Sequence, residues 1–300
     1  MKLKVLLSWL ENNDYSFSFS GDKEIEISHF SSLKNYKENT ITWIKNKENY
    51  DRYISGKNVV CAIVEKGIDT TIPNVIVAEN SKALFFGILH EFWGEKTEKG
   101  KIGQGTVISS NAVIDPSVSI GDNCSIEGNV NIGRGTVIEH NVVISGNVRI
   151  GENCYIQSGT VIGIAGFGWT TDPDTGRHTM VDHFGGVEIG NDVFIGAHVN
   201  IARGTIDDTI ISDGVKIAPS THIGHNNFIG ENTIAICSKF FGSATTGANS
   251  YVVDSTVKNQ SRVGNHTVVG MGSVVIDPIP DDVIAYGVPA KPVKNNDYNY

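Results

Sequence analysis

Long apolar runs are missing from this chain: nowhere do the roughly 18 consecutive apolar residues of a membrane-spanning helix occur. The apolar stretch near the start, Val5 to Leu10, runs straight into Glu11-Asn12-Asn13-Asp14 with no small-residue cleavage pattern, so it reads as an amphipathic helix and not as an export leader. No membrane insertion and a cytoplasmic location are expected. Cysteine is scarce, and Cys61, Cys124, Cys154 and Cys237 show no C-x-x-C spacing, which argues against a zinc site or a disulfide framework and leaves reduced thiols. Runs of Lys and Arg are also lacking, and a formal net charge of -9 removes the electrostatic footprint for a nucleic acid or an anionic membrane. What remains, 300 residues of which 40% are hydrophobic and 19% charged, suits a globular protein of one large or two medium domains.

A period of six dominates the rest. Isoleucine stands at 102, 108, 114, 120, 126, 132, 138, 144, 150, 156 and 162, a spacing that neither an α-helix nor an alternating strand produces. Four residues after these isoleucines comes a small or β-branched residue, such as Thr106, Ala112, Val118 and Cys124, so each hexad has two inward positions. Three residues after those up to Ile156 stand Gly105, Asn111, Ser117, Asn123, Asn129, Gly135, Asn141, Asn147, Asn153 and Gly159, mostly types that enter the left-handed backbone region cheaply, which predicts a tight turn in every hexad. Short strand and turn, repeated until three hexads close a triangle, make a solenoid whose coils pair edge to edge around a stack of isoleucines.

The phase breaks after Ile162, resumes at Ile189, Ile195 and Ile201, slips by four residues before Ile211, Ile217, Ile223 and Ile229, and returns at Val257, Val263, Val269 and Val275. Breaks are where loops can leave a scaffold, and loops on rigid scaffolds commonly carry function. The longest, 163–186, holds Gly166-Phe167-Gly168-Trp169 and the turn-rich Thr171-Asp172-Pro173-Asp174-Thr175-Gly176, which predicts a projecting hairpin tip. Residues 1–97 lack the period and read as a small α/β domain, with an opening helix, β-rich pieces near 59–64 and 74–77, and a helix over 81–93. The repeat domain is then 98–277, and Pro278, Pro280, Pro289 and Pro292 argue that 278–300 is a tail that leaves the repeat.

The repeat resembles the hexapeptide acyltransferases, which implies a left-handed parallel β-helix and a homotrimer. Within them the order of parts is informative: a non-repeat N-terminal domain, Ser158-Gly159-Thr160-Val161-Ile162-Gly163 and a Gly-Phe-Gly loop, His183-Phe184-Gly185-Gly186-Val187, Ala202-Arg203-Gly204 leading to Asp207-Asp208-Thr209, then Ile223-Gly224-His225-Asn226. That order resembles the UDP-3-O-acylglucosamine N-acyltransferases of lipid A synthesis over nearly the whole chain. The resemblance implies that His225 is the general base and that the N-terminal domain holds a nucleotide through Trp43 and Asn46, with Tyr50 a looser match. Gly242, in the aligned Phe241-Gly242-Ser243-Ala244, is the expected oxyanion donor, and Phe167, His183 and Asn226 are expected to contact substrate. His198 and His266 fall in the phase of the turn residues, and His tolerates that backbone.

Four features depart from that family, one being that its second histidine falls here near Asn259 or Gln260. Ala202 stands before the Arg-Gly pair where Asp is usual, Ala218-Pro219-Ser220 replaces Asp-Asn-Gln, and Tyr286-Gly287-Val288-Pro289-Ala290-Lys291 is similar to the ending of coenzyme A-dependent sugar acetyltransferases. The expectation drawn from them is a short-chain N-acyltransferase with acyl-CoA as co-substrate, no tightly bound cofactor and no metal. Its acceptor is then the amine of a UDP- or dTDP-linked amino sugar, in cell-surface glycan synthesis. An acyl-carrier-protein-dependent enzyme of lipid A synthesis, a sugar O-acetyltransferase and a non-catalytic binding solenoid are the alternatives. A zinc enzyme on the same scaffold is disfavoured, because the three-residue spacing of His222 and His225 does not resemble its ligand set.

Overall fold

A computed structural model describes residues 1–94 and 98–297. The boundary expected after residue 97 and the last three residues of the expected tail lie outside the described residues. The chain divides into two compact units, Met1–Lys96 and Thr97–Tyr300.

The first unit begins with α1 (Leu3–Asn12), which buries Leu3, Leu6, Leu7 and Leu10, the i, i+3, i+4, i+7 stripe of an amphipathic helix. There follow β1 (Ser18–Ser20), β2 (His29–Phe30), β3 (Thr40–Ile44), α2 (Lys47–Tyr53), β4 (Cys61–Glu65), β5 (Val75–Ala78) and α3 (Ser81–Trp93). The strands form one sheet in the order β1-β5-β4-β3-β2, parallel except for β1 against β5. Strand alternation divides its core: Ile41, Ile63 and Ile76 pack with the leucines of α1 and with α3, while Ile44, Ala62, Val64 and Val75 pack with Leu33 and Tyr50 on the opposite face. Burial pushes the Cys61 thiol up to about 12, so it is inert.

The second unit is the solenoid. Parallel strands stack in register, with Ile126, Ile144, Ile162, Ile201, Ile223, Phe240, Val257 and Val275 forming one inward column. Each of the eight is 0% exposed, and burying a side chain of this size contributes roughly 1.5–3 kcal/mol. The gap in the period between Ile229 and Val257 is not a gap in the solenoid. Phe240 takes the isoleucine place there, and Ala235 and Ala244, both fully buried, occupy further inward places.

The triangle has three kinds of corner. At one, Gly105, Asn123, Asn141, Gly159 and His198 adopt positive φ; at the second, Gly135, Asn153, Asp192, Gly214, Asn232, Asn249 and His266 do so. The third departs from the expected turn in its early coils and resumes it at Asn226, Ser243 and Gln260, which adopt positive φ. Asn129 and Asn147 are not left-handed; the glycines before them, Gly128 and Gly146, take φ of +91°, and continuous strands Ser125–Ile132 and Val143–Ile150 run through the corner. Glycine one place earlier removes the need for the Asn turn.

The proline-rich ending also departs from expectation. Val283–Tyr286 adds a further parallel strand beside Val268–Val269, and Lys291–Asn295 then returns antiparallel to it. Pro278, Pro280 and Pro289 lie between strands and Pro292 lies in this terminal strand, where a missing N–H is tolerated.

Candidate active site

The irregularities of the period converge on the third corner. Above Gly128 and Gly146, the chain leaves after Val161–Ile164 to form a hairpin, Trp169–Thr171 against His178–Met180. Its tip is folded on Asp172, whose Oδ1 accepts from the N–H groups of Asp174 and Thr175 and from the Thr175 hydroxyl. The four-residue slip forms a second bulge, 203–208, in the next coil. One coil further stands His225, since Asn200 and Ile201 pair with His222 and Ile223.

Asn226 is the hub of this corner. Its Oδ1 accepts from the Thr205 N–H at 3.0 Å and the Thr205 hydroxyl at 2.8 Å, and its Nδ2 donates to the Asp207 carbonyl at 2.8 Å. The bulge therefore dictates which end of the amide is oxygen. His225 Nδ1 lies 3.0 Å from the same Oδ1, so Nδ1 carries the proton and donates, leaving the lone pair on Nε2. Gly204 is required here, because a Cβ would meet the Asp207 carbonyl at 1.6 Å and Asn226 Nδ2 at 2.8 Å. Asn226, expected to contact substrate, commits its Oδ1 to Thr205 and His225 and one of its two amide N–H donors to the Asp207 carbonyl, so it orients His225.

Gly242, in the coil after His225, flanks the free nitrogen. A Cβ there would stand 2.4 Å from Nε2, so only glycine admits the imidazole. At the other corners the equivalent N–H is often taken by a side chain one coil on, as Gln104 N–H by Asp122, Asp122 N–H by His140 and Asn191 N–H by Asp213. Among the described residues, the N–H groups of His225 and of buried Gly242 meet no acceptor. Two backbone donors thus remain beside the imidazole, a donor set suited to an oxyanion.

The long loop closes over the ring. At Gly166 a Cβ would meet His183 Nε2 at 2.7 Å and His225 Cβ at 2.9 Å. His183 is 5% exposed, its ring centroid lies 5.3 Å from that of His225, and Nδ1 donates to the Val181 carbonyl at 3.0 Å. Its buried Nε2 has no partner among the described residues. Phe167 is 74% exposed and leans on Trp169. His222 faces elsewhere in its strand: burial, then the Lys239 charge beside it, hold its pKa below the usual histidine value. Two grooves of about 470 and 550 Å³ run along the second corner, past Gly190 and Asp213, and neither is lined by His225.

In the N-terminal unit, Trp43 lines a cavity of about 380 Å³ with Phe30, Phe86, Asn49, Lys45 and Tyr53. Its indole N–H donates to Ser81 Oγ at 2.9 Å, and its ring stacks on Phe85. Asn46 and Tyr50 do not join it. Asn46 caps α2, accepting from the Asn49 N–H at 2.8 Å. Tyr50 is 6% exposed in the core on the sheet face opposite Trp43, with its hydroxyl accepting from the Thr71 N–H at 3.1 Å. Asn49 and Tyr53, three residues further along the same helix in each case, line the cavity instead.

A hexad-built solenoid carrying a base-and-donor corner defines a hexapeptide transferase. The family model "Bacterial transferase hexapeptide (six repeats)" matches residues 99–134 and 129–163. A UDP-3-O-acylglucosamine N-acyltransferase of Delftia acidovorans is 36% identical over 85% of this chain and 72% of its own length, and one of Coxiella burnetii is 35% identical over 74% and 70%. Among solved structures, LpxA of Acinetobacter baumannii superposes with a TM-score of 0.59 at 27% identity, covering 65% of this chain and 75% of that one. The chain belongs to the UDP-3-O-acylglucosamine N-acyltransferase family, and it is an acyltransferase on a left-handed β-helix.

These relatives overturn the expected short-chain, coenzyme A-dependent enzyme of glycan synthesis. The structure explains why one supporting feature misled. Gly287 and Ala290 bond back to Ser273 and Val274, and Ala290 is buried in the core, so the segment from Tyr286 to Lys291 serves to close the end of the solenoid.

Proposed function

We propose that this chain transfers an acyl group from a carrier-protein thioester to the amine of UDP-3-O-acylglucosamine, the acceptor for which its relatives are named. The observation that carries the reading is the His225 tautomer: with Nδ1–H committed to Asn226, Nε2 is an unblocked acceptor. An ammonium has no lone pair to attack with, and imidazole, with an ordinary pKa near 6.5, accepts its proton near neutral pH. The amine nitrogen attacks the thioester carbon as its proton passes to Nε2, and the resulting oxyanion is met by backbone N–H groups at Gly242 and His225. Collapse breaks the C–S bond, and the thiolate leaves with the proton returned by His225. No covalent acyl-enzyme is needed, and every proton and charge is handled by the chain's own groups, so we assign no tightly bound cofactor.

The apolar cavity beside Trp43, with Asn49 and Tyr53 at its rim, supports the expected grip on a nucleotide base. Buried His183 supports a contact to the acceptor next to the base. A homotrimer and a cytoplasmic location accompany the reading; no helix among the described residues is long and apolar enough to cross a membrane. The test is a matrix of acceptors against donors read by mass spectrometry: UDP-3-O-acylglucosamine and its 3-deacylated form, each with acyl carrier protein and acyl-CoA thioesters. The expected product is an amide on the 3-O-acylated acceptor, formed from the carrier protein. Product from acyl-CoA alone, or an ester in place of an amide, overturns the proposal.

A further inference from the structure

Six arginines occur in the chain, and five have a plain reason for their place. Arg52, Arg134, Arg149 and Arg262 pair with Glu48, Glu152, Glu188 and Asp281, and Arg177 is exposed on the hairpin. Arg203 differs. It is half-buried, its Nε is buried without a hydrogen-bond partner, and no carboxylate among the described residues lies within ion-pair distance. Removing a guanidinium from water without a counter-charge is costly, and Arg geometry matches phosphate oxygens in pairs.

Its surroundings are shaped for it. Arg203 sits at the third corner, in the coil just before His225, with its N–H donating to the Ile164 carbonyl at 2.9 Å. The guanidinium reaches back over Gly146, where a Cβ would stand 2.8 Å from Nη1. Gly128, Gly146 and Gly163 take positive φ in successive coils, so no side chain of theirs fills this stretch. Gly146 lies in the strand next but one to that of Arg203, and adjacent strands are about 4.8 Å apart. The unpaired cation therefore stands on the order of 10–15 Å from the His225 coil along the same corner.

We propose that Arg203 is a phosphate anchor: it binds a phosphate group of a substrate whose reacting end lies at His225. This rests on the acyl-transfer reading, in which two substrates carry such a group, the nucleotide sugar through its diphosphate and the carrier protein through the phosphodiester of its pantetheine arm. One charged hydrogen-bonded contact of this kind is worth about tenfold or more in affinity.

Titration calorimetry on the full chain separates the sources without turnover, by comparing UDP with uridine and 4′-phosphopantetheine with pantetheine. In one pair the phosphorylated form binds about tenfold or more tightly. Arg203→Met abolishes that preference, Arg203→Lys keeps part of it, and the pair that responds names the source. A wild-type chain with no preference in either pair overturns the proposal even if the variants do not fold, as does an unchanged preference in Arg203→Met. A chain that binds phosphate through Arg203 but transfers no acyl group keeps this proposal and removes the reaction it was joined to.

Discussion

Two corners of the solenoid and the third are made from the same hexads, yet they spend their turn residues differently. At the first two, Asn, Asp and His side chains accept from N–H groups one coil away and close the ladder, as Asn265 does for Ala248 and Asp281 for Asn265. At the third the ladder is interrupted: glycines replace side chains at 128, 146 and 242, a loop leaves after Ile164, and a bulge at 203–208 grips Asn226. A uniform core thus tolerates one irregular edge, because the inward column beneath that edge stays fully buried throughout. Stability resides in the column, and the proposed chemistry in the corner that gives up its caps.

Removing the base is the sharpest way to separate the two. His225→Ala lowers kcat by about 10²- to 10⁴-fold while thermal unfolding stays near that of the wild type, measured by single-turnover assay and calorimetry. Gly242→Ala restores a side chain to the stripped corner. Its methyl displaces the imidazole, since Cβ would lie 2.4 Å from Nε2, and kcat falls by about 10²- to 10³-fold. Retention of normal turnover by that variant would falsify the placement of Nε2.

Core and surface variants test the other side of the comparison. Ile195→Ala empties a fully buried inward place and costs about 2–5 kcal/mol in urea unfolding, with the corner chemistry intact in the folded fraction. The smallest effect is at His222. Burial and then Lys239 depress its folded pKa below the unfolded value near 6.5, so in the window just below pH 6.5 the unfolded chain binds more protons and stability falls as pH drops. His222→Gln makes that fall shallower; an identical pH profile for both proteins would remove the assignment.

Much of this was legible from residues alone, for physical reasons that differ from site to site. A period of six needs only side-chain volume and backbone cost, so the column and most turns followed from Ile, Asn and Gly. His225 stood out because its motif is specific. That Asn226 orients His225 was not legible, because what its amide bonds to depends on the bulge at 203–208, far from it in the chain. Tyr50 was misplaced because helix α2 turns its side chain into the core opposite Trp43, and Asn46 because a cap looks like any exposed asparagine in a sequence. Arg203 carried no signal of its own, since an arginine without a partner is recognisable only when its neighbours are in place.

The repeat determined the scaffold by itself, because each hexad carries its own inward residues and most of its turn, and stacking merely multiplies a local preference. Only the tertiary structure decided which nitrogen of His225 is free, that two backbone donors beside it are unclaimed, and that Phe240 fills an apparent gap in the period. Those outcomes depend on contacts between residues about a coil apart, where a missing side chain in one coil becomes space and an open donor in the next.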